Sequence, residues 1–251
     1  AVVMIYEAID HLNFAQGEMA MFSTFVAWQL MQWGIPYWGA FLLSAWPARE
    51  RALRVGVLPQ ASRLAFPLSA LHVVLLGRTP HLRGRETAHD LDLALAALRR
   101  AGAGHLAERC YLDLSGGERQ RVQFARVLAQ VGDAHSGQPR YALLDEPTAG
   151  LDPPQQHALL ALARELADEG LGVLVTLHDL DLAARYATRA ALLHGGRLIA
   201  EGTPREVLNS ARVRDVYGVE AHASADPITG AWTVRCGPLS SDPLPLPAGH
   251  S

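Results

Sequence analysis

Tyr141-Ala142-Leu143-Leu144-Asp145-Glu146-Pro147-Thr148 is the stretch on which the reading of this chain turns. Its four-residue apolar run is too short for a helix and predicts a buried strand. Two adjacent carboxylates close the run, and Pro147 ends it. The carboxyl end of a strand in an α/β sheet is where ligands bind. One acid there can hold Mg²⁺, a hard cation that prefers oxygen. The other can orient and deprotonate an attacking water. A turn that is merely acidic is the plain alternative, and the flanking string argues against it.

Upstream stands Leu114-Ser115-Gly116-Gly117-Glu118, followed by Arg119-Gln120-Arg121. Ser115 can cap a helix running to about Gln130, and the two glycines let backbone N–H groups approach an anion. A helix N-terminus carries roughly half a positive charge, suited to a terminal phosphate. An ordinary capped helix after a glycine turn is the bland reading of the same residues.

Around these two strings, strands and helices alternate from Arg49 onward, the pattern of a layered α/β domain. Leu91, Leu95 and Leu98 lie at helical spacing within Glu86–Arg100. Asp133–Pro139 is a polar loop. Pro153–Glu169 is a helix with Leu159, Leu160, Leu162, Ala163 and Leu166 on its core side. Val173–Leu177 is a strand and Asp179–Ala187 a helix. Gly195-Gly196 turns a hairpin between Ala190–His194 and Arg197–Ala200. Thr203-Pro204-Arg205-Glu206 starts a capped helix. Ile228-Thr229-Gly230 turns a last small hairpin. Residues 237–251, with four Pro, form a flexible tail.

The composition, 49% hydrophobic and 19% charged, suits a sizeable core and argues against disorder. A net charge of −3 argues against nucleic acid as the main partner. Cys110 and Cys236 are too few for a disulfide framework. The first residue is Ala, so the true start is open. There is no Lys in the chain, and the first Arg is Arg49. All four Met and three of the five Trp precede residue 40. From Met19 to Ala48 no residue is charged. Two compositions join near Gly39–Ala45.

Residues 1–44 therefore read as an apolar helical segment. A spanning helix needs roughly 20 apolar residues, but Gly34-Ile35-Pro36 breaks the run. Membrane insertion through residues 19–46, a buried apolar patch and an unfolded remnant all stay open. No basic n-region or small-residue cleavage site marks a signal peptide.

Together the motifs resemble the ATP-binding subunits of ABC transporters across about residues 45–236. That resemblance implies an α/β fold of the P-loop NTPase class, a layered sheet with helices. It makes Asp145 the Mg²⁺ residue of Walker B and Glu146 the catalytic base. His178, in Thr176-Leu177-His178-Asp179, becomes the catalytic switch histidine that contacts the γ-phosphate. Gln60, in Leu58-Pro59-Gln60, becomes the Q-loop residue that senses Mg²⁺ and the membrane subunit. Gly150-Leu151-Asp152 resembles the D-loop at the dimer interface. Leu114, Ser115, Gly116, Gly117, Glu118 and Gln120 form the signature that meets ATP held by the other subunit. A lone His or Gln means little; their order along the chain gives these two their weight.

The implied cofactor is Mg²⁺ with ATP. The implied partners are transmembrane permease subunits, a second ATPase subunit and, indirectly, a substrate-binding protein. The implied place is the cytoplasmic face of a bacterial inner membrane, as a peripheral protein. Ala65-Phe66-Pro67, Leu76-Gly77-Arg78-Thr79-Pro80-His81, His178-Asp179-Leu180-Asp181-Leu182-Ala183 and Gly202-Thr203-Pro204 look like the ATPases of hemin and iron–siderophore importers. Leu12-Asn13-Phe14-Ala15-Gln16-Gly17-Glu18 and the aromatic run after it resemble, over residues 5–43, part of a branched-chain amino-acid ABC permease.

The family's P-loop (Walker A), G-x-x-x-x-G-K-[ST], cradles the phosphates and places its Lys on the β- and γ-phosphates. Without Lys that motif is absent in every register, so the domain is expected to be incomplete and its ATPase activity impaired. A non-catalytic dimer partner and a non-functional chimeric product are the other two readings.

Overall fold

The computed structural model describes residues 2–5, 48–60, 64, 66–82, 84–132, 139–195, 197–227 and 230–238. Two compact units are present, one spanning Ile5–Leu177 and the other combining Ala1–Met4 with His178–Ser251. The first strand, β1 (Val2–Ile5), is built from β-branched and unbranched apolar residues. It corrects the expectation of a helix for those four residues: Val2, Val3 and Ile5 favour an extended backbone. The remainder of the expected apolar helical segment, including residues 19–46, lies outside the described residues. Among the described residues no helix is long and apolar enough to cross a membrane.

In the Ile5–Leu177 unit, helix α1 (Ala48–Arg54) runs directly into β2 (Val55–Leu58). Helix α2 (Ala70–Leu75) passes into a 3₁₀ turn at Leu76–His81. Then come α3 (Ala88–Arg100), α4 (Gly116–Val131), β3 (Tyr141–Asp145), α5 (Pro153–Asp168) and β4 (Gly172–Leu177). Strands β2, β3 and β4 pair in parallel, with Val55 opposite Tyr141 and Asp145 opposite Thr176. That register brings the C-terminal ends of β3 and β4 level. The five residues expected on the core side of α5 are all buried.

Helix α3 departs from its leucine pattern. Leu98 is buried, but Leu91 is 40% exposed and Asp90 turns inward instead. The cause is Arg78, which is only 1% exposed. Its Nε donates to Asp90 Oδ1 at 3.0 Å and its NH1 to the Ala129 carbonyl at 2.8 Å. Thr87 completes the site, its hydroxyl donating to Asp90 Oδ2 at 2.6 Å and its N–H at 3.0 Å. Gly77 makes this approach possible: a Cβ there would sit 2.3 Å from the Arg126 carbonyl of α4. Any side chain would push the turn off the helix.

The Thr87 hydroxyl, and then Arg78, hold the Asp90 carboxyl below its usual range against the opposing effect of burial. A folded-state value below the unfolded one means that the ionised form favours folding. That contribution is complete above the unfolded value of about 4 and fades as pH falls through the folded value. Urea melts taken from pH 6 downward should therefore lose stability more steeply in the wild type than in Asp90→Asn.

In the other unit, α6 (Leu180–Tyr186) precedes β5 (Arg189–His194) and β6 (Arg197–Gly202), an antiparallel pair joined at Gly195 as expected. Strand β1 lies beside β5. Thr203 caps α7 (Pro204–Val207) through the expected reciprocal box with Glu206. Helix α8 (Ser210–Tyr217) is capped by Asn209 and stops at Gly218, whose φ is 65°. The hairpin of β7 (Glu220–Ala225) and β8 (Trp232–Gly237) ends the described chain. Asp181 accepts the Val234 N–H at 3.1 Å, fixing α6 to β8. Gly237, expected to open the tail, still belongs to β8, and residues 239–251 lie outside the described ones. Cys110 and Cys236 are both free thiols.

Candidate functional site

The end of β3 gathers groups from distant parts of the sequence. Asp145 and Thr176 face each other across the strand pair. The Thr176 hydroxyl donates to Asp145 Oδ1 at 2.6 Å, and Thr176 Oγ1 accepts the Glu146 N–H at 2.9 Å. Glu146 has φ 45°, in the left-handed region that costs a residue with a Cβ roughly 1–2 kcal/mol. Such strain persists where surrounding contacts impose it. Gln60 lies just past β2, and its Nε2 donates to Glu146 Oε2 at 2.7 Å. Gln60 thus meets Glu146 beside Asp145.

The signature string forms its turn with a reciprocal cap. Ser115 Oγ accepts the Glu118 N–H at 3.3 Å, and Glu118 Oε2 accepts the Ser115 N–H at 2.8 Å. Arg109 adds a contact to Glu118 Oε1 at 3.0 Å. The Ser115 N–H, above all, holds the Glu118 carboxyl below its usual range. Glu118 therefore shapes the turn, while exposed Ser115 and Gly116 present its outer surface. Leu114 is buried beneath it. A Cβ at Gly117 would lie 2.7 Å from Gln155 Oε1, so the Gln155 side chain would have to turn aside. Gln120 Nε2 donates to the Pro147 carbonyl at 3.1 Å, joining the signature helix α4 to the turn after the two acids.

Gly150, with φ 71°, makes the bend before α5. Leu151 is buried. Asp152 caps α5, accepting the Gln155 N–H at 2.9 Å. His178 is exposed and follows the last residue of β4, as the first residue of the His178–Ser251 stretch. Thr176 is the site residue that motif reading passes over. Its signal is a lone hydroxyl in the otherwise apolar run Val173-Leu174-Val175-Thr176-Leu177.

The donor chemistry at β3 fits a divalent cation of the Mg²⁺ kind. Asp145 offers carboxylate oxygen. The Gln60 amide oxygen stays available because its nitrogen is spent on Glu146. Among the described residues no cluster of three or more His, Cys, Asp or Glu assembles. A cation here would keep mostly water and phosphate as ligands, which suits Mg²⁺. The phosphate cradle is another matter, because no Lys occurs in these 251 residues.

Comparison with known proteins agrees with this geometry. The family model described as ABC transporter matches residues 41–149. One described as branched-chain amino acid ATP-binding cassette transporter matches residues 197–217. The hemin import ATP-binding protein HmuV of Gloeobacter violaceus is 49% identical over 209 residues, covering 83% of this chain and 72% of that protein. Its namesake in Myxococcus xanthus is 48% identical over 209 residues, covering 83% and 74%. Among solved structures, an ABC transporter of the metal-chelate type in an inward-facing conformation aligns with a TM-score of 0.64 at 28% identity, covering 74% of this chain and 73% of that one. A dimeric bacterial ABC transporter cassette aligns with a TM-score of 0.54 at 31% identity, covering 62% and 66%.

Proposed function

Because the chain belongs to the family of ABC transporter ATP-binding proteins, we propose that it is the ATP-binding subunit of an importer for hemin or a related iron chelate, with its own hydrolytic output impaired. The observation that carries this reading is the convergence of Gln60 on Glu146 beside Asp145, with the signature turn intact. The substrate class rests on the hemin import relatives.

Asp145, with Gln60, would hold Mg²⁺, which when bound neutralises charge on the phosphates and orients them. Glu146 would take the proton of the attacking water, and His178 would contact the terminal phosphate. Ser115, Gly116 and Gly117 would meet the ATP of a second ATPase subunit across a D-loop interface at Gly150, Leu151 and Asp152. The impairment follows from the absence of Lys, the residue that in the family's P-loop reaches the β- and γ-phosphates. Permease subunits would receive the chain at the cytoplasmic face of the membrane, as a peripheral protein.

Co-purification tests the substrate class. The chain should be retained by the permease pair of a hemin importer. Retention by a branched-chain amino-acid permease pair, with none by the hemin pair, would overturn the assignment.

A further inference from the structure

We propose that Thr176 is a positioning residue for the cation and the base, one hydroxyl setting the orientation of both acids. The inference rests on the reading of Asp145 as the acid that holds the cation.

Three observations carry it. The hydroxyl donates to Asp145 Oδ1 at 2.6 Å while its oxygen takes the Glu146 N–H at 2.9 Å. A hydroxyl has one proton to give and lone pairs to receive, so both contacts form together and fix each other's direction. Glu146 sits at φ 45°, a backbone state that needs outside support, and Thr176 accepts its amide. Lastly, β4 is otherwise Gly172, Val173, Leu174, Val175 and Leu177. Packing and strand preference would be served equally well by Val at position 176. The hydroxyl is what Thr adds.

The consequence is a division of labour within Asp145. Its Oδ1 is held toward β4, which leaves Oδ2 for a cation. Partners of this kind, one bond removed from the metal, typically change affinity by roughly 10–100-fold when lost.

The test uses the full chain and Mn²⁺ alone as probe, followed by the electron paramagnetic resonance signal of free Mn²⁺. Four proteins are compared: wild type, Thr176→Val, Thr176→Ser and Asp145→Asn. Thr176→Val keeps the side-chain shape but loses both hydrogen bonds, so it should fold with a lowered melting point and bind Mn²⁺ about tenfold more weakly or worse. Thr176→Ser, which restores the hydroxyl, should bind within about twofold of wild type, because the donor to Asp145 is retained. Equal affinity in Thr176→Val and wild type, with binding lost in Asp145→Asn, would overturn the role of Thr176 alone. Mn²⁺ binding that is absent in the wild type, or that survives Asp145→Asn, would overturn the cation reading and this inference with it. Exchange of the Glu146 amide provides a second readout. It should speed up in Thr176→Val and not in Thr176→Ser; unchanged protection in both would also overturn the assignment.

Discussion

Given ATP and Mg²⁺, the purified chain should release phosphate no faster than background, and Glu146→Gln should leave that rate unchanged. On the proposed reading Glu146 is the base and Asp145 holds the cation, but a base accelerates hydrolysis only when the γ-phosphate is held in line with its water. Holding reactants in such a geometry is worth about 7–11 kcal/mol of barrier. ABC ATPases obtain it from the P-loop backbone and its Lys. General base catalysis by itself supplies about 10²–10⁴-fold, far short of the 10⁶-fold or more by which enzymes typically exceed the uncatalysed reaction. Turnover of about 1 s⁻¹ or more, lost on Glu146→Gln, would show that some other group holds the phosphate.

Asp90→Ala should cost about 3–5 kcal/mol, the range for breaking a buried ion pair by removing one partner. It takes away the carboxylate that faces the Arg78 guanidinium, 1% exposed, at 3.0 Å. The Ala129 carbonyl still receives one N–H. Against a total stability of about 5–15 kcal/mol this is a large share, and urea denaturation will measure it. Replacing both Arg78 and Asp90 with Leu should cost less than the single change, because both buried charges are removed together. A cost below about 1 kcal/mol for Asp90→Ala would mean that the pair is not closed in solution.

Much of this is legible in the sequence. Each capping residue that was recognised, Ser115 and Thr203, does cap a helix, because a cap needs only residues close in sequence. The core face of α5 was readable for the same reason. Asp90 and Thr176 depend on distant partners. Asp90 turns inward because of Arg78 on a preceding turn, and no helical period announces that. Thr176 reads as one more strand residue until β4 is laid beside β3 and its hydroxyl meets Asp145. Helix α8 has no long apolar stripe, and its evidence is local: the Asn209 cap and the left-handed Gly218. Strand β1 was absorbed into an apolar stretch because four residues are too few to show a period.

On the proposed reading, Gln60, Asp145 and Glu146 form the cation and base corner of an ABC ATPase, and the Lys of its phosphate cradle is missing. The most direct measurement grafts a P-loop-bearing segment, G-x-x-x-x-G-K-[ST] between a strand and a helix, in place of residues 1–47 and follows phosphate release. The account predicts that the graft hydrolyses ATP and that Glu146→Gln abolishes it. A folded graft that binds ATP but releases no phosphate would contradict it.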